Sequence, residues 1–154
     1  MNVDSFKARL IATTGAKGLS WKEYDGYKGD GANIYTLYDL PNFPEASIDV
    51  YLHSSSMEVY FKLNQVRANE DTLLLMNDFN KNVDEFKAFM SEDDRGRSFL
   101  YIASNQIHVS DEESGVEAFE KIMKAIFSKE VNTFFFVHLW FKDFLAPMNL
   151  FDVI

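Results

Sequence analysis

The sequence predicts an α+β fold: an antiparallel sheet of about five strands with helices packed on one face, in the order α-β-β-β-α-β-β-α(α). Three observations lead there. Residues 47–53 and 57–65 alternate apolar and polar side chains with a period of two, as half-buried strands do. The links between successive strands are of hairpin length, which favours antiparallel pairing. Segments near residues 69–82 and 110–127 carry apolar residues at helical spacing behind capping residues.

Taken in order, Asp4 or Ser5 can cap a first helix that carries Phe6, Leu10 and Ile11 and ends before Gly15 and Gly18. The Gly-rich segment 25–33 reads as a loop. Residues 33–40 form a strand with Ile34, Thr36, Tyr38 and Leu40 on one face and Tyr35 and Leu37 on the other. In 47–53, Ile48, Val50 and Leu52 oppose Asp49, Tyr51 and His53. In 57–65, Met57, Val59, Phe61 and Leu63 oppose Glu58, Tyr60, Lys62 and Asn64. Ser54-Ser55-Ser56 is the short link of a hairpin between these two strands.

Asn69 can cap the next helix, and Glu70 and Asp71 suit the positive end of its dipole. Leu74, Leu75, Met76 and Phe79 make its apolar side, and Asn80 to Asn82 end it. Residues 85–91 and 98–104 are two further strands around the charged turn Asp93-Asp94-Arg95-Gly96-Arg97. Ser110 or Asp111 caps a helix in which Val116, Phe119, Met123, Ile126 and Phe127 recur at helical spacing. Residues 130–146 are apolar on nearly every face; a helix is expected, although Thr133 to Val137 also suits a strand. The 154 residues suit one domain, with 130–154 as an aromatic helical extension.

The order of elements resembles that of the YbjN family and of the structurally similar type III secretion chaperones. Leu75-Met76-Asn77-Asp78-Phe79-Asn80, then Val83, Phe86-Lys87-Ala88-Phe89 and Asp93-Asp94-Arg95-Gly96 carry the likeness, over roughly residues 57–128. The resemblance implies a non-enzymatic protein that binds other proteins, often as a dimer, and it transfers no catalytic residue. The apolar tail after residue 130 departs from the shorter family pattern.

Composition excludes several classes of function. Apolar residues make up 47% and there are only 3 Pro, so the chain can bury a core and is neither disordered nor collagen-like. Asp and Glu number 24 against 15 Lys and Arg, and the net charge of −9 argues against direct binding of nucleic-acid phosphates. With no Cys there are no disulfides, thiolate nucleophiles or Cys-held metals. The N-terminus shows no basic leader before an apolar run, so a cytoplasmic location is expected. The most apolar stretch, Phe134 to Leu145, is broken by His138, Lys142 and Asp143 and is too short to span a membrane.

Nothing in the sequence assembles a catalytic site. His53, His108 and His138 lie on different elements without a second ligand at metal spacing. Gly26, Gly29 and Gly31 lack the strand-to-helix setting and Gly-Lys-Ser/Thr ending of a phosphate loop, and Asp25, Asp30 and Asn33 miss calcium-loop spacing. The acid pairs Glu70-Asp71, Asp84-Glu85, Asp93-Asp94 and Glu112-Glu113 fall at helix starts and turns, where capping explains them. Ser54-Ser55-Ser56 lacks a nucleophile-elbow context. No catalytic residue, cofactor or metal is expected.

Charge and aromatics are unevenly placed. Residues 1–68 carry a net −1, while 69–104 and 105–154 each carry −4. Eight of the fifteen Phe lie in 119–154, so the acidic part of the chain is also the aromatic part. Phe135, Leu139 and Trp140 remain on the far side once Phe134, Val137, Phe141 and Phe144 face inward. Either the fold buries both sides, or a second chain covers one. The expectation is a chaperone- or adaptor-like binding module, or homodimer. Its partner would dock on Phe135, Leu139 and Trp140, with Tyr51 and Tyr60 on the polar sheet face next. The alternative is a small acidic inhibitor, of the kind carried by phages and mobile elements, that mimics nucleic-acid charge. Its binding would weaken steeply with salt.

Replacing both Leu139 and Trp140 by Ser should abolish dimerisation or partner capture in size-exclusion and pull-down measurements while the melting temperature holds. A variant that unfolds instead would make the tail core.

Overall fold

The computed structural model describes residues 2–24, 32–40, 46–63 and 70–126. Three helices, α1 (Val3–Thr14), α2 (Glu70–Asn82) and α3 (Glu112–Ile126), cover one face of an antiparallel sheet. The strands are β1 (Gly18–Tyr24), β2 (Ala32–Tyr38), β3 (Ala46–Leu52), β4 (Ser56–Leu63), β5 (Phe86–Glu92), β6 (Ser98–Ser104) and β7 (Ile107–His108). Their spatial order is β1-β2-β3-β4-β6-β5, with β7 paired to the start of β4. The α+β class and the helices on one face stand; the sheet has seven strands rather than about five.

Two strands were not revealed by periodicity: β7, which is only two residues long, and β1. The latter reads Gly-Leu-Ser-Trp-Lys-Glu-Tyr and has only Leu19 and Trp21 on the core-facing side, too few for a clear alternation. Pairing with β2 from Gly18 opposite Tyr38 to Tyr24 opposite Ala32 holds it at the edge. The loop expected at 25–33 gives way to strand at Ala32 and Asn33, and its remainder lies outside the described residues.

Local signals set the helix ends. The cap of α1 is Asn2, not Asp4 or Ser5: its side chain accepts from the Ser5 amide at 3.1 Å. The helix stops at Gly15, whose φ of 67° is left-handed and suits a residue without Cβ. At α3 the Asp111 carboxylate accepts from the Ser114 amide at 2.8 Å. A Cβ at Gly115 would lie 3.1 Å from both Phe6 and Val109, so glycine lets α1 and α3 approach closely. Between these helices Ser5 Oγ donates to Glu112 at 2.7 Å, and Arg9 grips both oxygens of Glu113. That guanidinium holds the Glu113 carboxyl below its ordinary range.

A single core lies between sheet and helices. Ile48, Val50, Met57, Val59, Phe61, Leu63, Leu100 and Ile102 project from the sheet onto Phe6 and Leu10 of α1, Phe79 of α2 and Phe119 of α3. Full burial of such a side chain is worth about 1.5–3 kcal/mol. In β2 the core side is Tyr35 and Leu37, both fully buried, while Thr36 and Tyr38 face the other way. On α2 the expected Met76 and Phe79 are buried and Leu75 packs against the core, but Leu74 is 59% exposed; Thr72 is buried in addition.

The chain leaves β4 through α2 and enters the sheet again at its far edge as β5, then returns as β6 beside β4. An edge strand exposes backbone groups that can recruit another strand. Here Asn80 of α2 caps the centre of that edge. Its Nδ2 donates to the Ala88 carbonyl at 2.9 Å, and its Oδ1 accepts from the Ala88 amide at 2.7 Å.

Asn80→Ala leaves both Ala88 groups without their partner and should cost about 1–3 kcal/mol. The urea midpoint should fall with an unchanged m value, and Asn80→Asp, which keeps one of the two bonds, should fall between. A midpoint equal to the parent's would deny the clamp its role.

Candidate functional site

The same alternation that fills the core populates the opposite sheet face. Asp49 and Tyr51 of β3, Glu58, Tyr60 and Lys62 of β4, Phe99 and Tyr101 of β6, and Lys87 and Phe89 of β5 all point away from the helices. Register brings them together. Asp49 lies opposite Tyr60, Tyr60 opposite Ala103, Lys62 opposite Tyr101, and Tyr101 opposite Phe89.

The rings form a continuous track across four strands. Tyr51 meets Tyr60 edge-on at 5.0 Å between centroids, and Tyr60 meets Tyr101 and Phe89 edge-on, each at 6.4 Å. Phe89 and Tyr101 stack at 5.1 Å with an interplanar angle of 11°. Each such pair contributes about 0.5–1.5 kcal/mol beyond its burial. The Lys62 ammonium sits 4.1 Å from the centroid of Phe99 and 5.8 Å from that of Tyr101. The Arg97 guanidinium lies 5.9 Å from Phe99 while also pairing with Asp93 at 2.7 Å. Phe89 is 40% exposed at the free end of the track.

Polar groups flank the rings. Thr36 Oγ1 donates to Asp49 at 2.9 Å. Burial holds the Asp49 carboxyl above its ordinary range, against the opposing pull of the Thr36 hydroxyl and of Lys62 and Lys22. Glu58 meets His53 Nε2 at 3.3 Å and accepts from the Tyr60 hydroxyl at 3.5 Å. Burial raises the pKa of Tyr60, helped by Glu58, and that of Tyr101, helped by Asp49 and Tyr51. Both hydroxyls therefore keep their protons at neutral pH, that of Tyr60 directed at Glu58.

Of the expected site residues, Tyr51 and Tyr60 are brought together on this face. Phe135, Leu139 and Trp140 lie outside the described residues, as does His138. His108 is exposed on β7. Phe89, Phe99, Tyr101 and Lys62 were not singled out as site residues. The alternation had already separated them from their core-facing neighbours; only the strand order β4-β6-β5 sets them beside Tyr60. Elsewhere, a cavity of about 230 Å³ opens between the ends of β5 and β6 and α3, with mainly apolar walls that include Phe86, Ile107 and Ile122. Among the described residues no group of His, Asp and Glu could hold a metal ion, and no helix is long and apolar enough to cross a membrane.

No known family profile matches the chain, and no curated sequence matches it. Among solved structures it is similar to the crystal structure of YbjN from E. coli, described as a proposed transcription regulator. The TM-score is 0.50 at 17% identity, over 82% of this chain and 86% of that one. The fold is YbjN-like. The expected resemblance therefore stands at the level of architecture, and at this identity it assigns no residue a role.

The raised pKa of Asp49 means that the folded state resists ionising it. Stability is lost as pH rises through the carboxylate range, and the loss persists at neutral pH. Asp49→Asn should melt above the parent at pH 7, with the gap closing as the pH falls below that range. Thermal melts across pH measure this; a gap that stays constant at acid pH would contradict it.

Proposed function

We propose that the chain is a non-enzymatic protein-binding module, adaptor- or chaperone-like, that docks a partner on the aromatic face of its sheet opposite the helices. The observation that carries this reading is the ring track Tyr51–Tyr60–Tyr101–Phe89, set on the sheet face opposite α1, α2 and α3 and ending on the exposed Phe89. Tyr and Phe on a rigid sheet offer large contact area at little entropic cost, and such residues are common interface anchors. The Asn80 clamp closes the centre of the β5 edge, which favours docking on the face over strand addition there. The YbjN-like fold supports a regulatory or adaptor role exercised through protein contacts. In this reading the site works as a binding surface at a cytoplasmic location.

The acidic-inhibitor alternative has less support. A phosphate mimic needs rows of carboxylates without cations among them. On α3, Lys121 and Lys124 follow Glu117 and Glu120 by one helical turn, and Arg9 holds Glu113.

A photo-crosslinking amino acid at position 89 should capture a partner in the native cell, and Tyr60→Ser should abolish the product. Loss of an anchor of this kind weakens binding by about thirtyfold or more. The melting temperature of Tyr60→Ser is recorded alongside, so that unfolding is not mistaken for lost docking. Capture from position 74 on α2 without capture from 89 would move the docking surface to the helix layer and refute the proposal.

A further inference from the structure

The sheet face opposite the helices departs from the charge of the rest of the chain. The whole molecule carries −9, yet the strands place Lys22, Lys62 and Lys87 on this face, with Asp49 and Glu58 as the acids among the described residues. Both acids are engaged. Asp49 accepts from Thr36, and Glu58 is bound to His53 and Tyr60. Lys22 and Lys87 are exposed on the two edge strands, and Lys62 lies between them over Phe99. The face thus presents a ring track with Lys87 on the strand at its β5 end, Lys62 at its middle, and Lys22 two strands beyond its β3 end.

Resting on the protein-docking reading above, we infer that the partner is an acidic extended peptide segment whose carboxylates alternate with apolar side chains. Apolar groups seat on Tyr60, Tyr101 and Phe89, and carboxylates reach Lys62 and Lys87 on one side and Lys22 on the other. The ring track from β3 to β5 spans three inter-strand gaps, and the face from Lys22 on β1 to Lys87 on β5 spans five, about 24 Å at the usual spacing, which about seven extended residues cover. Charge complementarity of this sort sets encounter rate and partner choice more than raw affinity. A single-stranded nucleic acid would share the stacking but bring a phosphate at every nucleotide. Three lysines in a chain of net −9 do not match that load.

The test is fluorescence anisotropy on the full chain with a short labelled peptide alternating Asp or Glu with Leu or Tyr. It is compared with its Asn/Gln analogue and with an oligo-dT of similar length. The acidic peptide should bind best, lose affinity as salt rises, and lose about tenfold or more in the K22E/K87E double variant. Melts are recorded alongside: Lys22 eases the charge of Asp49, so the double variant should melt somewhat below the parent, whereas K87E alone, at an exposed edge position, should melt with the parent and still lose affinity. Equal binding of the Asn/Gln analogue, or undiminished binding by K22E/K87E, would overturn the acidic specificity while leaving docking on the face intact. Tighter binding of oligo-dT would overturn it in favour of a nucleic acid. If no peptide binds although position 89 still crosslinks a protein, this inference fails alone; if position 89 captures nothing either, the docking reading fails with it.

Discussion

Everything in this fold hangs on β4. It pairs with β3 along one side and with β6 and β7 along the other. Its core-facing side chains, Met57, Val59, Phe61 and Leu63, are each fully buried. A strand with both edges paired and one face sealed has a single register available, because a slip of one residue would drive four large apolar groups into water. That same constraint fixes where Glu58, Tyr60 and Lys62 point. The core and the candidate site are thus two readings of one alternation, and the precision of the site is inherited from the stability of the core.

The topology around β4 also decides which surfaces remain to be used. Passing from β4 through α2 to the far edge places β6, with Phe99 and Tyr101, directly against Lys62 and Tyr60. The crossover costs a long connection and leaves an edge strand to be protected. Asn80 meets that need from within the helix that makes the connection. One element therefore both carries the chain across and closes the exposed backbone it creates.

Much of this architecture was legible in the residues. The strands β3 and β4 stand out because their alternation is clean, and β5 and β6 because a charged Gly turn separates them. Helix α3 is announced by Asp111 and its apolar repeat. What failed to show has identifiable reasons. β1 is an edge strand whose stability comes from pairing rather than from its own pattern, so its sequence carries little periodic signal. Leu74 read as core because apolar identity says nothing about which side of a helix the sheet covers. In the site, Tyr51 and Tyr60 could be chosen because hairpin neighbours share a face. Tyr101 and Phe89 could not, since their place beside Tyr60 depends on a non-sequential strand order.

The acidity of the chain acquires a different meaning against this layout. Net charge of this size keeps a small domain dispersed, and its carboxylates sit where they cap α3 or brace the turn at Asp93. None of that requires the aromatic face to be acidic. An aromatic face that also carried its share of −9 would repel the acidic segments its lysines attract. It would also lose the cation that Lys62 sets over Phe99 and Tyr101. Engaging Asp49 and Glu58, the two acids that the described strands place on this face, lets a chain that is acidic in bulk present lysines there, the charge pattern on which selectivity for an acidic partner would rest.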